Sequence, residues 1–338
     1  MGLLDKIGGK VLGSADALGR LLGPERHTSL GRNLGSLACY FTPRELQVLE
    51  AQLKFAAVSA PSLASLDAKT VLKKMYGHIG ESVAELSHFK YFLEKDPSST
   101  QKFYPKYKRI ESLTRDQCRE VIERNEGALV LGGHIGNFEL LAAYHIASGL
   151  KVTILGREPN YNFISNWIQR IRTDYGSESL LRGSEGENKR GAVLASIKAL
   201  KTGKVLAALP DQDTALGSEF APFFNLSAAH VVAPLKLALG TNKKVFTSFI
   251  VRVGPLQHRV YSEQVEYDPK SENPERDILI EYSKRLQALV IEFPEQYLWI
   301  HRRWRRRPGV DYEKNPSELR GKVDYLNWLA GNPRGDAK

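Results

Sequence analysis

The chain has 338 residues, of which 42% are apolar, 25% charged and 9% aromatic. That composition supports a packed core and excludes a disordered or collagen-like chain, while the length allows one large domain or two ordinary ones. The net charge of +10 calls for an anionic partner: nucleic acid, an anionic membrane surface, an acidic protein or a phosphorylated substrate.

Leu3, Leu4, Ile7, Val11, Leu12, Ala15, Leu18, Leu21 and Leu22 recur at helical spacing, with Lys6, Lys10 and Arg20 between them. Such a basic amphipathic helix lies on a membrane interface or packs on the core, and the pattern does not choose. No uncharged apolar run reaches the ~18 residues of a membrane span. No secretory signal is visible, and Lys6 stands where a myristoylation site needs Ser or Thr. The expectation is a chain that is soluble or bound to a membrane surface. Cys39 and Cys118 fit a reduced compartment and lack the spacing of a zinc site.

Residues 43–125 read as helices broken by polar loops. Thr42 is placed as an N-cap before Pro43, and Asp67 as the cap of the next helix. His78 and His88 fall inside a helical pattern on different faces, where packing or surface roles are expected. The pattern changes near Gly127. Residues 127–133 form a short apolar run bounded by glycines, as expected for a buried parallel strand. Further strands are expected at 151–156, 178–181, 204–209, 244–253 and 259–265. Helices are expected at 137–148, 159–173, 189–202, 230–239 and 274–293. Strands alternating with helices predict an α/β fold with a mostly parallel central sheet covered by helices, preceded by an N-terminal helical region. The expected division is residues 1–115 helical, 116–308 the α/β body and 309–338 a polar C-terminal extension.

Ligand sites in such sheets lie beyond the carboxyl ends of the strands. His134 leaves the first strand, and Glu139 follows five positions later. Asn137 is a good N-cap, which puts Glu139 in the first helical turn. If the loop folds so that Glu139 meets His134, the carboxylate fixes the tautomer and makes His134 a general base. Spacing alone favours a plainer arrangement, a histidine capping the strand and a glutamate favoured by the helix dipole. Arg157 follows the second strand, where an arginine at a helix start invites an anionic ligand or a carboxylate partner. Asp211, Gln212 and Asp213 follow the strand ending at Leu209, in a positioning or a capping role. Phe223 and Phe224 belong to an apolar stripe that lines a hydrocarbon channel or fills the core. Five arginines lie in the heptapeptide from His301 to Arg307, so half of the charge excess sits in one segment. Its neighbours Trp299 and Trp304 anchor it to a folded body.

The run from Gly133 to Glu139 resembles the "H-x-G-N-W-E" block of bacterial lipid A late acyltransferases, the lauroyl and myristoyl transferases. These belong to the wider H-x4-D/E glycerolipid acyltransferase superfamily. Three further blocks match in order. Arg157 and Asn160 resemble the family's "R-x-x-N" turn. Asp211, Gln212 and Asp213, then Pro222, Phe223, Phe224 and Ala228, resemble its "D-Q-D … P-F-F-G-x-x-A" block. Residues 295–304 resemble its "E-Q-W-x-W-x-H-R-R" block. Asn225 stands where the family tends to have Gly, Phe138 where it has Trp, and only the amphipathic stretch stands where the family usually has a hydrophobic membrane-anchor segment.

The resemblance implies transfer of a fatty acyl chain from an acyl-carrier-protein or acyl-CoA thioester to a hydroxyl of a membrane lipid, foremost a lipid A precursor. His134 is then the general base and Glu139 its orienting carboxylate. Arg157, Asn160, Asp211, Gln212, Arg302 and Arg303 are the acceptor-binding candidates, and Phe223 and Phe224 the acyl pocket. Backbone amides near Gly133 are the candidate oxyanion site. No metal or cofactor is implied. The expected location is peripheral, on the cytoplasmic face of the inner membrane. The rival is a superfamily enzyme with another glycolipid or phospholipid acceptor. A nucleic-acid-binding role is disfavoured, because the basic run has no recognisable binding motif around it.

Overall fold

The computed structural model describes residues 3–94, 104–105, 110–112, 120–121, 124–157, 162–182, 189–213, 218–306 and 308. Helices α1 (Leu3–Leu22), α2 (Pro24–Leu37), α3 (Pro43–Ser59), α4 (Ala68–Ser87) and the single turn α5 (Phe89–Phe92) come first. Asp67 caps α4, its carboxylate accepting from the Thr70 amide at 2.9 Å. Thr42 does precede α3, but its hydroxyl donates back to Ala38 O instead of capping. Among the described residues, no helix is long and apolar enough to cross a membrane.

Short strands β1 (Leu93–Glu94), β2 (Tyr104–Pro105) and β3 (Ile110–Ser112) lie inside the stretch expected to be helical. The body continues with β4 (Ala128–Leu131), α6 (Phe138–Ala147), β5 (Val152–Arg157), α7 (Asn162–Tyr175), β6 (Glu178–Arg182), α8 (Lys189–Lys201) and β7 (Val205–Ala208). It ends with the hairpin β8 (Ser218–Phe223) and β9 (Leu226–Val231), α9 (Ala233–Gly240), β10 (Lys244–Gly254), β11 (Gln257–Gln264) and α10 (Pro274–Glu292).

A seven-stranded sheet has the order β3-β11-β10-β4-β7-β5-β6. Its pairs are parallel except β10–β11, so this is the mostly parallel sheet expected, flanked by helices. β4 is buried along its whole length, as its unbroken apolar run requires. The hairpin β8–β9 was not expected; residues 230–231 end a strand instead of opening a helix. Its turn places Phe224 and Asn225 at φ +51° and +58°. Asparagine tolerates that left-handed backbone, which accounts for Asn225 where the family pattern has Gly.

α2 and α4 touch backbone to backbone. A Cβ on Gly35 would lie 2.2 Å from Tyr76 O, and one on Gly31 2.5 Å from Gly80 O. Below this contact, a buried ionic cluster ties the helices to the sheet. Glu85 accepts from Arg252 at 2.7 Å, His258 at 3.0 Å and Asn137 at 2.8 Å, while Glu81 pairs with Arg32 at 2.6 Å. Arg252 also meets His78 at 2.6 Å and Ser82 at 3.1 Å. Removing one partner from such a buried set costs about 3–5 kcal/mol, because a charge is left behind uncompensated.

Candidate active site

The loop from Gly132 to Gly136 runs off β4 at the carboxyl edge of the sheet. Gly136 adopts φ +59°, and a Cβ there would sit 2.0 Å from Ile250 O on β10. Only glycine permits that approach. Tyr282 donates to Gly132 O at 2.8 Å, and Ile135 bridges to Tyr297. The Gly136 amide donates to Gln296 O at 3.0 Å, and the Leu298 amide to His134 O at 3.0 Å. The C-terminal segment thus holds the loop from one side. Gln296 also reads the Arg252 backbone with both ends of its amide, at 2.8 and 2.7 Å. Gln52 does the same for the segment itself, donating to Trp299 O and accepting from the Arg303 amide.

His134 is gripped by Asp211. One Asp211 carboxylate oxygen accepts from the His134 amide at 2.8 Å and the other from its Nδ1 at 2.7 Å. The reason is register. Leu131 on β4 faces Ala208 on β7, and each partner's chain carries its side chain three residues further on. Burial pushes the Asp211 carboxyl up, but the His134 charge and hydrogen bonds, with Arg303 behind them, hold it below its ordinary value. The other face of the imidazole meets Gln212, whose amide nitrogen lies 2.9 Å from His134 Nε2 and 2.9 Å from His301 Nε2.

Glu139 therefore does not orient His134, since Asp211 and Gln212 hold the two ring nitrogens. Its carboxylate accepts from Arg172 of α7, at 3.0 Å to Nε, and joins α6 to α7. Asn137 caps α6 as expected, accepting from the Leu140 amide at 3.2 Å. The backbone amides near Gly133 are largely committed: Gly132 to Ala208 O, His134 to Asp211, Ile135 to Gly133 O and Gly136 to Gln296 O.

Two arginines of the segment, Arg303 and Arg306, are buried. Arg303 is 1% exposed and donates to Ala229 O and to His230, with its guanidinium 5.4 Å from the centre of the Phe223 ring. Arg306 is buried on Asp213, whose carboxyl is raised to about 6 by burial in spite of that partner. Arg302 is half-buried beside His301. Phe223 and Phe224 are sealed in an aromatic cluster with Tyr297, Trp299 and Trp304, so both rings fill the core. Arg157 ends β5 at the same edge of the sheet. Asn160 lies outside the described residues. Sequence reasoning missed Gln52, Glu85, Arg252 and His301. Of these only His301 carried a signal, as part of the arginine block.

The family model for bacterial lipid A biosynthesis acyltransferases matches residues 27–306. The chain belongs to the bacterial lipid A biosynthesis acyltransferase family. It is similar to the lipid A biosynthesis palmitoleoyltransferase of Escherichia coli K12, at 23% identity over 82% of this chain and 85% of the relative. The lauroyltransferase of the same organism is 24% identical over the same shares, and a lipid A biosynthesis acyltransferase of Shigella flexneri 23%. A member of this acyltransferase family transfers acyl groups to oxygen, so the chain is an O-acyltransferase.

Proposed function

We propose that this acyltransferase moves a fatty acyl chain from an acyl-carrier-protein or acyl-CoA thioester to a hydroxyl of a lipid A precursor, using His134 as general base and Asp211 as its orienting carboxylate. The observation that carries this reading is the Asp211–His134–Gln212 arrangement at the carboxyl ends of β4 and β7. With Asp211 accepting from Nδ1, the lone pair of Nε2 is the one that faces the site. The acceptor hydroxyl replaces Gln212 there and gives its proton to Nε2 as its oxygen bonds to the thioester carbonyl carbon. The carbonyl electron pair moves to oxygen. When it returns, the carbon–sulfur bond breaks, and the thiolate takes the proton from the imidazolium, which Asp211 stabilises meanwhile. Arg302 is the half-buried cation suited to an acceptor phosphate.

Attachment is peripheral on this reading, at the cytoplasmic face of the inner membrane. Leu30, Leu34, Leu37 and Phe41 follow one another at helical spacing and are 41%, 59%, 53% and 83% exposed. On α1, Leu18 and Leu21 point outward while Asp16 is buried against Arg20 and Arg170. An apolar stripe on a basic chain fits an anionic bilayer.

Purified His134→Ala is expected to lose at least about a thousandfold in acyl transfer while remaining folded. The readout is mass spectrometry of lipid A precursor incubated with acyl carrier protein. Near-normal transfer by the folded variant would sink the mechanism. Transfer by the wild type to another glycolipid, with none to lipid A precursor, would reassign the acceptor.

A further inference from the structure

Gln212 stands on the one position that acyl transfer needs vacant. Asp211 is an acceptor, so the proton of neutral His134 resides on Nδ1 and the Nε2 lone pair is bare. That lone pair takes a donor, so Gln212 presents its NH2 group, with the nitrogen 2.9 Å away. The same nitrogen lies 2.9 Å from His301 Nε2, and an NH2 group has a hydrogen for each ring. His301 serves as this second anchor because burial lowers its pKa to about 4 and keeps the ring neutral. The residues on either side of Gln212 are tied down, Asp211 on His134 and Asp213 on Arg306. Clearing Nε2 is therefore a rotation of the half-buried Gln212 side chain alone. The imidazole beneath it is not sealed from solvent, since the His134 side chain is 12% exposed.

We propose that Gln212 is a specificity-determining residue: it covers His134 Nε2 until a lipid hydroxyl displaces it, and so withholds the base from water. The proposal rests on the acyl-transfer reading above and deepens it. Without the cover, a water molecule gives a proton to Nε2 as its oxygen bonds to the thioester carbonyl carbon. The carbon–sulfur bond then breaks and the thiolate takes the proton from the imidazolium. The products are a free fatty acid and a thiol. Water and the acceptor hydroxyl thus compete for Nε2 with the same chemistry, and they differ in what else they bring. A bound lipid acceptor has the contacts of the rest of its molecule to offset the lost Gln212 hydrogen bond, whereas water has none. One hydrogen bond of ordinary strength disfavours hydrolysis by about tenfold. His301 adds to this by holding the long side chain over Nε2, where a single anchor leaves the amide freer to swing.

The test incubates purified protein with acyl carrier protein bearing a fatty acyl chain, once without and once with lipid A precursor. Mass spectrometry measures the free fatty acid and the acylated lipid. Gln212→Ala is expected to raise hydrolysis without acceptor about tenfold, and with it the ratio of hydrolysis to transfer. The base survives this change, because Asp211 still sets the tautomer of His134. His301→Phe leaves the amide one anchor and should raise hydrolysis by a smaller factor, about threefold; no rise would overturn the role given to His301. A residue needed only to hold the site together would lose both reactions in proportion. That outcome in Gln212→Ala, or hydrolysis within about twofold of wild type, overturns the proposal. Should the alanine variant unfold, Gln212→Met, which keeps the volume and lacks the N–H, decides by the same limits. A wild type that moves no acyl chain to any acceptor strikes the acyl-transfer reading itself. A wild type that transfers, beside a variant without excess hydrolysis, strikes the cover alone.

Discussion

Asp211 and Glu139 are carboxylates on either side of the loop that carries His134, and their surroundings give them different work. Asp211 is buried against the imidazole, whereas Glu139 faces a guanidinium and ties two helices. Asp211→Asn keeps the size but can present an N–H to Nδ1, which favours the tautomer with its proton on Nε2. We expect kcat to fall about 10³–10⁴-fold with little change in melting temperature. Glu139→Gln should instead cost about 1–3 kcal/mol of stability and leave kcat within about tenfold. Initial rates and urea unfolding on both purified variants check this, and the opposite ranking would return the orienting role to Glu139. His134 was legible in the sequence, because a histidine leaving a buried strand stands out. Its partner was not. β4 and β7 are adjacent only because the chain leaves through β5 and β6 and comes back between β4 and β5. A five-residue spacing is visible in a sequence; a crossover that brings residues 134 and 211 together is not.

Among the elements, α2 has the clearest division of faces. Glycines 31 and 35 seat it on α4 at backbone contact, so it cannot roll to hide Leu30, Leu34 and Leu37. Replacing these three leucines with serine removes apolar surface from the exposed face only. Binding to anionic vesicles should then weaken by about tenfold or more, at unchanged thermal stability. Sedimentation with vesicles checks this, and unchanged partitioning would move the membrane contact elsewhere. The sequence pattern drew attention to α1 because its leucines are dense. α2 escaped notice because its packed face is built from glycines, which leave no apolar periodicity. The same masking explains the missed hairpin β8–β9, whose turn uses Phe224 and Asn225 in place of glycine.

Over the whole molecule, charge and burial combine into a dependence on pH. Of the eight histidines, His27, His78, His88, His145, His230 and His301 all have a lowered pKa, with burial the main cause. The value falls to about 3 for His78 and about 4 for His145 and His301. These rings are neutral when folded and protonated when unfolded below pH ~6.5. Stability is therefore full above that pH and is lost as the pH falls towards 4. Each deeply buried ring removes up to about 1.4 kcal/mol per pH unit. Asp211 and Glu85, held below their ordinary values, add a further loss once the unfolded carboxylates begin to protonate. The urea midpoint should thus be level from pH 8 to 7 and drop steeply below 6.5; a midpoint level down to pH 5 would refute this. The alternation of strands and helices was legible from residue 127 onward, since buried parallel strands announce themselves as short apolar runs. The +10 was legible as a number and misleading as a surface, for Arg303 and Arg306 are interior ties.

The clasp between the His134 loop and residues 296–298 joins points more than 150 residues apart in the chain. A ribosome makes His134 early and its clasp late. The growing chain therefore carries His134 without its clasp for about half of its length, and the loop is held on that side only when the tryptophan-bearing segment docks.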